Sequence, residues 1–158
     1  MSVRAGNSWQ VLRTVSGDLL RDDADALVNA VNTAGVMGKG IALQFKQTWP
    51  DMFRDYRAAC QRGEIQLGHM HVWSAPPCFI INFPTKQHWR STSKLTDIEA
   101  GLVDLVRVID ELELESIAIP PLGCGYGGLT WADVEPLIHH ELAPVADRVD
   151  IRIFAPAA

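Results

Sequence analysis

A single α/β domain, with a mostly parallel sheet covered by helices on both faces, is the fold this sequence predicts. Three observations predict it. Short apolar runs with strand character alternate with helical stretches along the chain. The clearest helical stretch, after Thr96, carries a one-sided apolar stripe. Glycine-rich loops follow two of the apolar runs and lead into helix starts, as loops do at the carboxyl ends of parallel strands. A length of 158 residues fits one domain with a sizeable core.

Val11–Val15 reads as the first strand. Ala26–Val31 is a short apolar run between an acidic segment and a loop, which suits a buried strand. Residues 41–61 read as helix interrupted near Pro50, with Leu43, Phe45, Met52, Phe53 and Tyr56 turned inward. Met70–Ser74 and Phe79–Phe83 form two strands joined by a turn through Pro76 and Pro77. Thr96 and Glu99 match a capping box at the start of the next helix. Ile98, Leu102, Leu105, Val106, Ile109 and Leu112 follow at helical spacing. Ser116–Ile119 is a strand, 130–142 a helix, and Asp150–Phe154 the last strand. No internal repeat or linker interrupts this order.

The bulk properties narrow the function. A net charge of −5 argues against a large surface coated by nucleic acid, though not against a local basic patch. No stretch is apolar for long enough to span a membrane, and residues 1–10 lack the apolar core of a signal peptide. Cys60, Cys78 and Cys124 are odd in number and form no CxxC pair. A zinc site or a disulfide framework is therefore disfavoured, and a cytoplasmic location and a monomer are expected.

Chemistry concentrates in three loops. In Ile119–Trp131, two prolines are followed by Gly123, Gly125, Gly127 and Gly128 and then a helix start. Glycines at that density let successive amides converge, and the helix dipole adds positive potential. The segment reads as a cradle for a phosphate or diphosphate; the plainer reading is a glycine-rich turn. The second loop, Asn32–Ala42, also runs from a strand end through glycines to a helix. It is no Walker A loop, since neither Ser nor Thr follows Lys39. The Asn32–Ala42 loop does not spell GxGxxG, and a dinucleotide redox fold is disfavoured. Two such loops suit an extended ligand with a diphosphate in its middle.

The third loop holds Asn82–Arg90. Lys86 follows Pro84-Thr85, and a lysine at the rim of an apolar pocket loses its proton more easily than a free one. A solvated surface lysine is the alternative. Lys86, His88, Arg90 and Lys94 with Trp89 also make a local basic and aromatic patch that could hold single-stranded nucleic acid; a solvated loop with Trp89 packed inward is the alternative. Asp18 could accept from an exocyclic amine such as that of adenine, or cap a short helical turn.

Together, Gly17-Asp18-Leu19, the Val28–Asn32 strand end, Gly38-Lys39-Gly40-Ile41-Ala42 and Pro121-Leu122-Gly123-Cys124-Gly125 resemble a macrodomain, the ADP-ribose-binding fold. The resemblance runs from about Val11 to Phe154. It is nearest to the branch containing the terminal ADP-ribose protein glycohydrolase and the DNA ADP-ribosyl glycohydrolase antitoxins. The loop Asn82–Arg90 is similar to the antitoxin type. The resemblance implies a three-layer α/β/α fold around a mixed, mostly parallel six-stranded sheet, one domain over residues 1–158.

It also implies roles. Asp18 and Leu19 would hold adenine, with Phe154 stacking on it. Pro121, Gly123, Cys124, Gly125, Tyr126, Gly127, Gly128 and Leu129 would wrap the diphosphate. Asn32, Gly38, Lys39, Gly40, Ile41 and Ala42 would close over the distal ribose, with Asn32 bonding its hydroxyls. Thr85 would lie beside the catalytic Lys86. The protein glycohydrolase also uses an aspartate in its glycine loop. Gly127 stands in that place here, so the chemistry would centre on Lys86. The implied activity is hydrolysis of ADP-ribose from an acidic side chain of a protein, from a DNA base, or both, without a cofactor or metal. The alternative is a non-catalytic reader of ADP-ribose marks. A metal-dependent nucleotide phosphohydrolase is a weaker third reading, since the sequence offers no acidic cluster for the metal. His69, His71, His139 and His140 read as structural. Cys124 reads as a small packed side chain and Trp131 as the pin of its helix to the core.

Overall fold

The computed structural model describes residues 12–157. Val11 and residues 1–10, which carry part of the first-strand and the leader readings, lie outside the described residues. The elements in chain order are β1 (Leu12–Val15), β2 (Ala26–Asn32), α1 (Gly40–Thr48), α2 (Pro50–Gln61), β3 (His71–Ala75), β4 (Cys78–Lys86), α3 (Leu95–Glu111), β5 (Ser116–Ile119), α4 (Trp131–Leu142) and β6 (Asp150–Phe154). Single helical turns at Leu19–Arg21, Gly125–Gly127 and Ala143–Val145 punctuate them.

The six strands form one sheet in the order β1-β6-β5-β2-β4-β3. Every pairing is parallel except β3 with β4, which is antiparallel. Alternation along the strands builds two cores. Val28, Ile81, Phe83, Ile117 and Ile151 face α3 and α4 on one side. Leu27, Ile80 and Ala118 face α1 and α2 on the other, where Phe45, Met52 and Tyr56 are buried. The result is three layers, α/β/α.

Details depart from the sequence reading for physical reasons. The helix around Pro50 is two helices, and Pro50 opens the second at its first position, where a missing N–H costs nothing. Leu43 is only half-buried while its neighbour Phe45 carries the inward face. The capping box is not made: α3 starts at Leu95, and its N-cap is Lys94, without a side-chain bond. Thr96 is already inside the first turn, so its hydroxyl is misplaced to cap it. Trp131 packs against the core at the start of α4.

The largest departure concerns β4, which continues past Phe83 to Lys86. Proline inside a strand argues against pairing, yet Pro84 pairs with Val31. Pairing with β3 stops at Asn82, so that edge of β4 is free where Pro84 lacks a donor. The register then slips between Val31 and Asn32, placing Asn32 opposite Lys86. That bulge makes Lys86 the last residue of a strand in mid-sheet and aims its side chain from a fixed base.

Candidate active site

Strands β2, β4 and β5 run parallel side by side, so their carboxyl ends open on the same edge of the sheet. A cavity of about 710 Å³ lies there. Its walls come from the three loops singled out above. Asn32, Gly38, Lys39, Ile41 and Ala42 supply one side; Thr85 and Lys86, with Trp89 and Arg90, supply another; Pro121, Gly123, Cys124, Tyr126 and Gly127 supply the third. Ala30, Val31, Val36 and Pro120 complete the lining, and sequence reasoning did not select them. Pro120 sits beside the glycine motif, Val36 inside the second loop, and Ala30 and Val31 in the Val28–Asn32 strand end.

Lys86 is half-buried at the strand end. Its Nζ donates to the main-chain oxygen of Trp89 at 3.0 Å and of Tyr126 at 3.4 Å. The amine thus bridges two loops. Burial first, and the Lys39 ammonium second, hold it below the ordinary lysine value. Charged groups on the described lining are Lys39, Lys86 and Arg90, with no carboxylate among them. In a chain of net charge −5, this cleft is a local positive field.

The glycine loop folds back on itself. Cys124 N donates to Pro121 O, Gly128 N to Gly125 O and Leu129 N to Gly123 O. Gly125 and Tyr126 open a helical turn, and the amides of its first two residues have no acceptor inside it. Such amides are what an anionic group takes up. Ser93 sits beneath: a Cβ on Gly127 would lie 2.6 Å from its Oγ, so a side chain there requires Ser93 to move. Ser93 Oγ is buried and unpartnered among the described residues. Cys124 lines the cavity, and burial pushes its thiol up, away from a reactive thiolate.

The Asn32 side chain, expected at the ribose hydroxyls, is committed elsewhere. Its Oδ1 accepts from Ala34 N, Val36 N and the Tyr56 hydroxyl, and its Nδ2 donates to Val36 O at 2.8 Å. Tyr56 also reaches Asn32 O at 2.6 Å, and burial keeps its phenol protonated, hence a donor. Asn32 therefore shapes the loop of which it is the first residue. Thr85 is turned to Val31 O at 3.3 Å.

Asp18, Leu19 and Phe154 form a second group. Val15 and Phe154 are paired at the ends of β1 and β6, and a Cβ on Gly17 would lie 4.0 Å from Phe154 Cε2. Asp18 Oδ1 accepts from Leu20 N at 3.1 Å, the capping role weighed for it. Leu19 and Phe154 are buried in the same core. These three, with Gly40, Gly125, Gly128 and Leu129, lie outside the cavity lining proper. Gly40 abuts the Tyr126 ring, 3.5 Å from a built Cβ, and Leu129 closes the glycine loop. On the rim, Trp89 is half-exposed and stacks on His88, with 3.7 Å between ring centres. Arg90 and Lys94 are exposed beside it. His71 is held by Asp55 and Asn82, a structural placement.

The family model Macro domain matches residues 28–138. The chain belongs to the macrodomain family. This macrodomain is 56% identical over 146 residues to a protein of Mycobacterium tuberculosis named DNA ADP-ribosyl glycohydrolase, covering 90% of this chain and 41% of that protein. The chain thus spans about two fifths of the length of the curated relatives it matches. Its fold superposes on the macrodomain of Mycobacterium tuberculosis DarG with a TM-score of 0.90 at 53% identity, covering 92% of this chain and 98% of that one. It also superposes on Thermosipho africanus DarTG, solved in complex with ADP-ribose, with a TM-score of 0.84 at 33% identity, covering 90% and 41%.

Proposed function

We propose that this macrodomain hydrolyses ADP-ribose from modified DNA, with the amine of Lys86 as the reacting group. One observation carries the reading: Lys86 ends β4 in the wall of a cation-lined cavity, held by two carbonyls, with burial and Lys39 lowering its pKa from the ordinary lysine value. The names of its relatives support the substrate class. Adenine binds at Asp18, Leu19 and Phe154. The diphosphate takes the free amides of the glycine loop, and the distal ribose lies against Gly38–Ala42. That order sets the anomeric carbon before Lys86. A neutral amine there takes a proton from water as the water oxygen bonds to the anomeric carbon and the acceptor departs with the bonding pair, and the ammonium so formed returns that proton to the acceptor. Depressing the pKa of the amine raises the fraction in that form at neutral pH.

The rim supports DNA over a protein side chain. Trp89 offers one ring face, the other being taken by His88, and Arg90 and Lys94 can meet the phosphates on either side. Three free cysteines support a reducing, cytoplasmic setting.

The test is release of ADP-ribose from a modified single-stranded oligonucleotide and, in parallel, from a protein modified on glutamate. Wild type releases from DNA, and Lys86→Ala loses at least about a hundredfold in rate, the lower range for positioned proton transfer. Undiminished release by Lys86→Ala removes Lys86 from the chemistry. Tight ADP-ribose binding with release from neither substrate makes the domain a reader.

A further inference from the structure

We propose that Lys39 is a positioning residue for this reaction: held on the face of the Tyr126 ring, its ammonium acts across the cleft on the Lys86 amine and makes it reactive. The inference rests on the reading of Lys86 given above and assigns the group that prepares it.

Tyr126 stands between the two amines. Its ring face lies under Lys39 Nζ, 5.4 Å from the centroid, and its main-chain oxygen accepts from Lys86 Nζ at 3.4 Å. One residue of the glycine loop therefore contacts both lysines, each from a different element. The partner chosen for Lys39 matters. A carboxylate would hold the ammonium but cancel its charge. An aromatic face holds it through the ring quadrupole and adds no net charge, so the positive field persists in the cleft.

The site of Lys39 also has a local disadvantage. It is the N-cap of α1, with extended backbone and no side-chain cap bond. A cation there opposes the helix dipole, and small polar residues would serve better. Helix formation thus gives no reason for a lysine at this position.

The surroundings of Lys86 leave Lys39 as the group that tips it. From the segment after β4 come Arg90 and the Trp89 carbonyl; from the glycine loop, the Tyr126 carbonyl and Cys124; from the loop before α1, Lys39. No carboxylate among the described lining residues opposes the cations. After burial, Lys39 is the cause that lowers the Lys86 pKa. The sign follows: removing the Lys39 charge lets Lys86 hold its proton to higher pH, so less neutral amine is present at pH 7.

The experiment compares wild type, Lys39→Met, Lys39→Arg and Lys86→Ala. kcat and KM are measured against pH with the ADP-ribosylated oligonucleotide. Separately, in the ligand-free protein, acetylation of Lys86 by limiting acetic anhydride is followed against pH by mass spectrometry. Lys39→Met is expected to lower kcat at pH 7 by about three- to tenfold, a deficit that closes at alkaline pH where the amine is neutral in both proteins. Its acetylation midpoint moves to higher pH, and Lys39→Arg restores both profiles. The proposal is overturned if Lys39→Met raises KM alone with kcat and the acetylation midpoint unmoved, since Lys39 would then only bind the anionic ligand. It is equally overturned if Lys39→Arg loses as much kcat as Lys39→Met. Lys86→Ala separates the two levels: release that survives it overturns the reading of Lys86 as the reacting group, while the acetylation midpoint still decides whether Lys39 acts on that amine.

Discussion

Replacing Gly123 by alanine tests whether the glycine loop holds the conformation on which the site depends. Gly123 has φ +74°, where an L-residue is strained by about 1–2 kcal/mol. A methyl group there would lie 2.6 Å from Leu129 Cδ1, 3.2 Å from Ser93 Cβ and 3.3 Å from Ile98 Cδ1. Leu129 is half-exposed, and its terminal methyl can swing away. Ser93 and Ile98 are buried and cannot. Overpacking of this kind costs about 1–3 kcal/mol. The stiffer unfolded chain returns about 0.4–1 kcal/mol. The net loss is therefore about 3 kcal/mol, with strain and crowding clearly ahead of the entropy gain. Against a total stability of about 5–15 kcal/mol the variant still folds. Urea unfolding should show a midpoint lowered by about 1.5 M, taking a slope near 2 kcal/mol/M. Calorimetry should show ADP-ribose affinity reduced by at least about tenfold, equal to about 1.4 kcal/mol, because the chain leaves its left-handed turn just ahead of the free amides. A midpoint and an affinity both equal to wild type would refute the argument, since neither the strain nor the crowding could then be present.

Two further substitutions probe the scaffold and the rim. Gly101→Ala inside α3 would ordinarily stabilise a helix by about 1 kcal/mol; here a methyl would lie 2.3 Å from Phe83 Cζ, in a fully buried ring, so the sign reverses and differential scanning calorimetry should record a lower Tm, by about 2–4 °C per kcal/mol lost. Trp89→Ala should leave stability within about 0.5 kcal/mol, the residue being half-exposed, yet raise KM for the modified oligonucleotide by about fivefold or more through the lost stacking surface, with release from a modified protein little changed.

Much of the fold was legible because period and punctuation agree along the chain. The six strands and three helical stretches each carry their own pattern, and the antiparallel β3–β4 hairpin is signalled by Pro76-Pro77. What failed to show in the sequence depends on contacts made at a distance. Nothing local to Thr96 says that the chain turns into α3 one residue earlier, at Leu95. Nothing local to Pro84 says that pairing with β3 ends at Asn82 and frees that edge. The fate of Asn32 depends on Tyr56, a residue of α2 that reads from its spacing as an ordinary core aromatic. The two glycine loops and Lys86 were each marked by residue type, and their places at strand ends suited one extended ligand. Which residues between them line the cavity was not marked, since that depends on β2, β4 and β5 lying side by side.

Gly127 brings these threads together. In the terminal ADP-ribose protein glycohydrolase, of the branch this sequence resembles, an aspartate stands at this place in the glycine loop, where this chain departs from it. Here a Cβ on residue 127 would lie 2.6 Å from the hydroxyl of Ser93, whose own amide donates to Gly127 O at 2.8 Å, so a side chain there requires Ser93 to move. The loop and the segment before α3 are thus fitted to each other. Without that carboxylate, Lys86 has the carbonyls of Trp89 and Tyr126 as its acceptors among the described residues, while burial and the Lys39 ammonium lower its pKa. A lysine beside an aspartate forms an ion pair and tends to keep its proton; a lysine among cations tends to lose it. The absence of an acidic partner and the presence of Lys39 therefore act in the same direction, and both favour a mechanism that draws on the amine as a base.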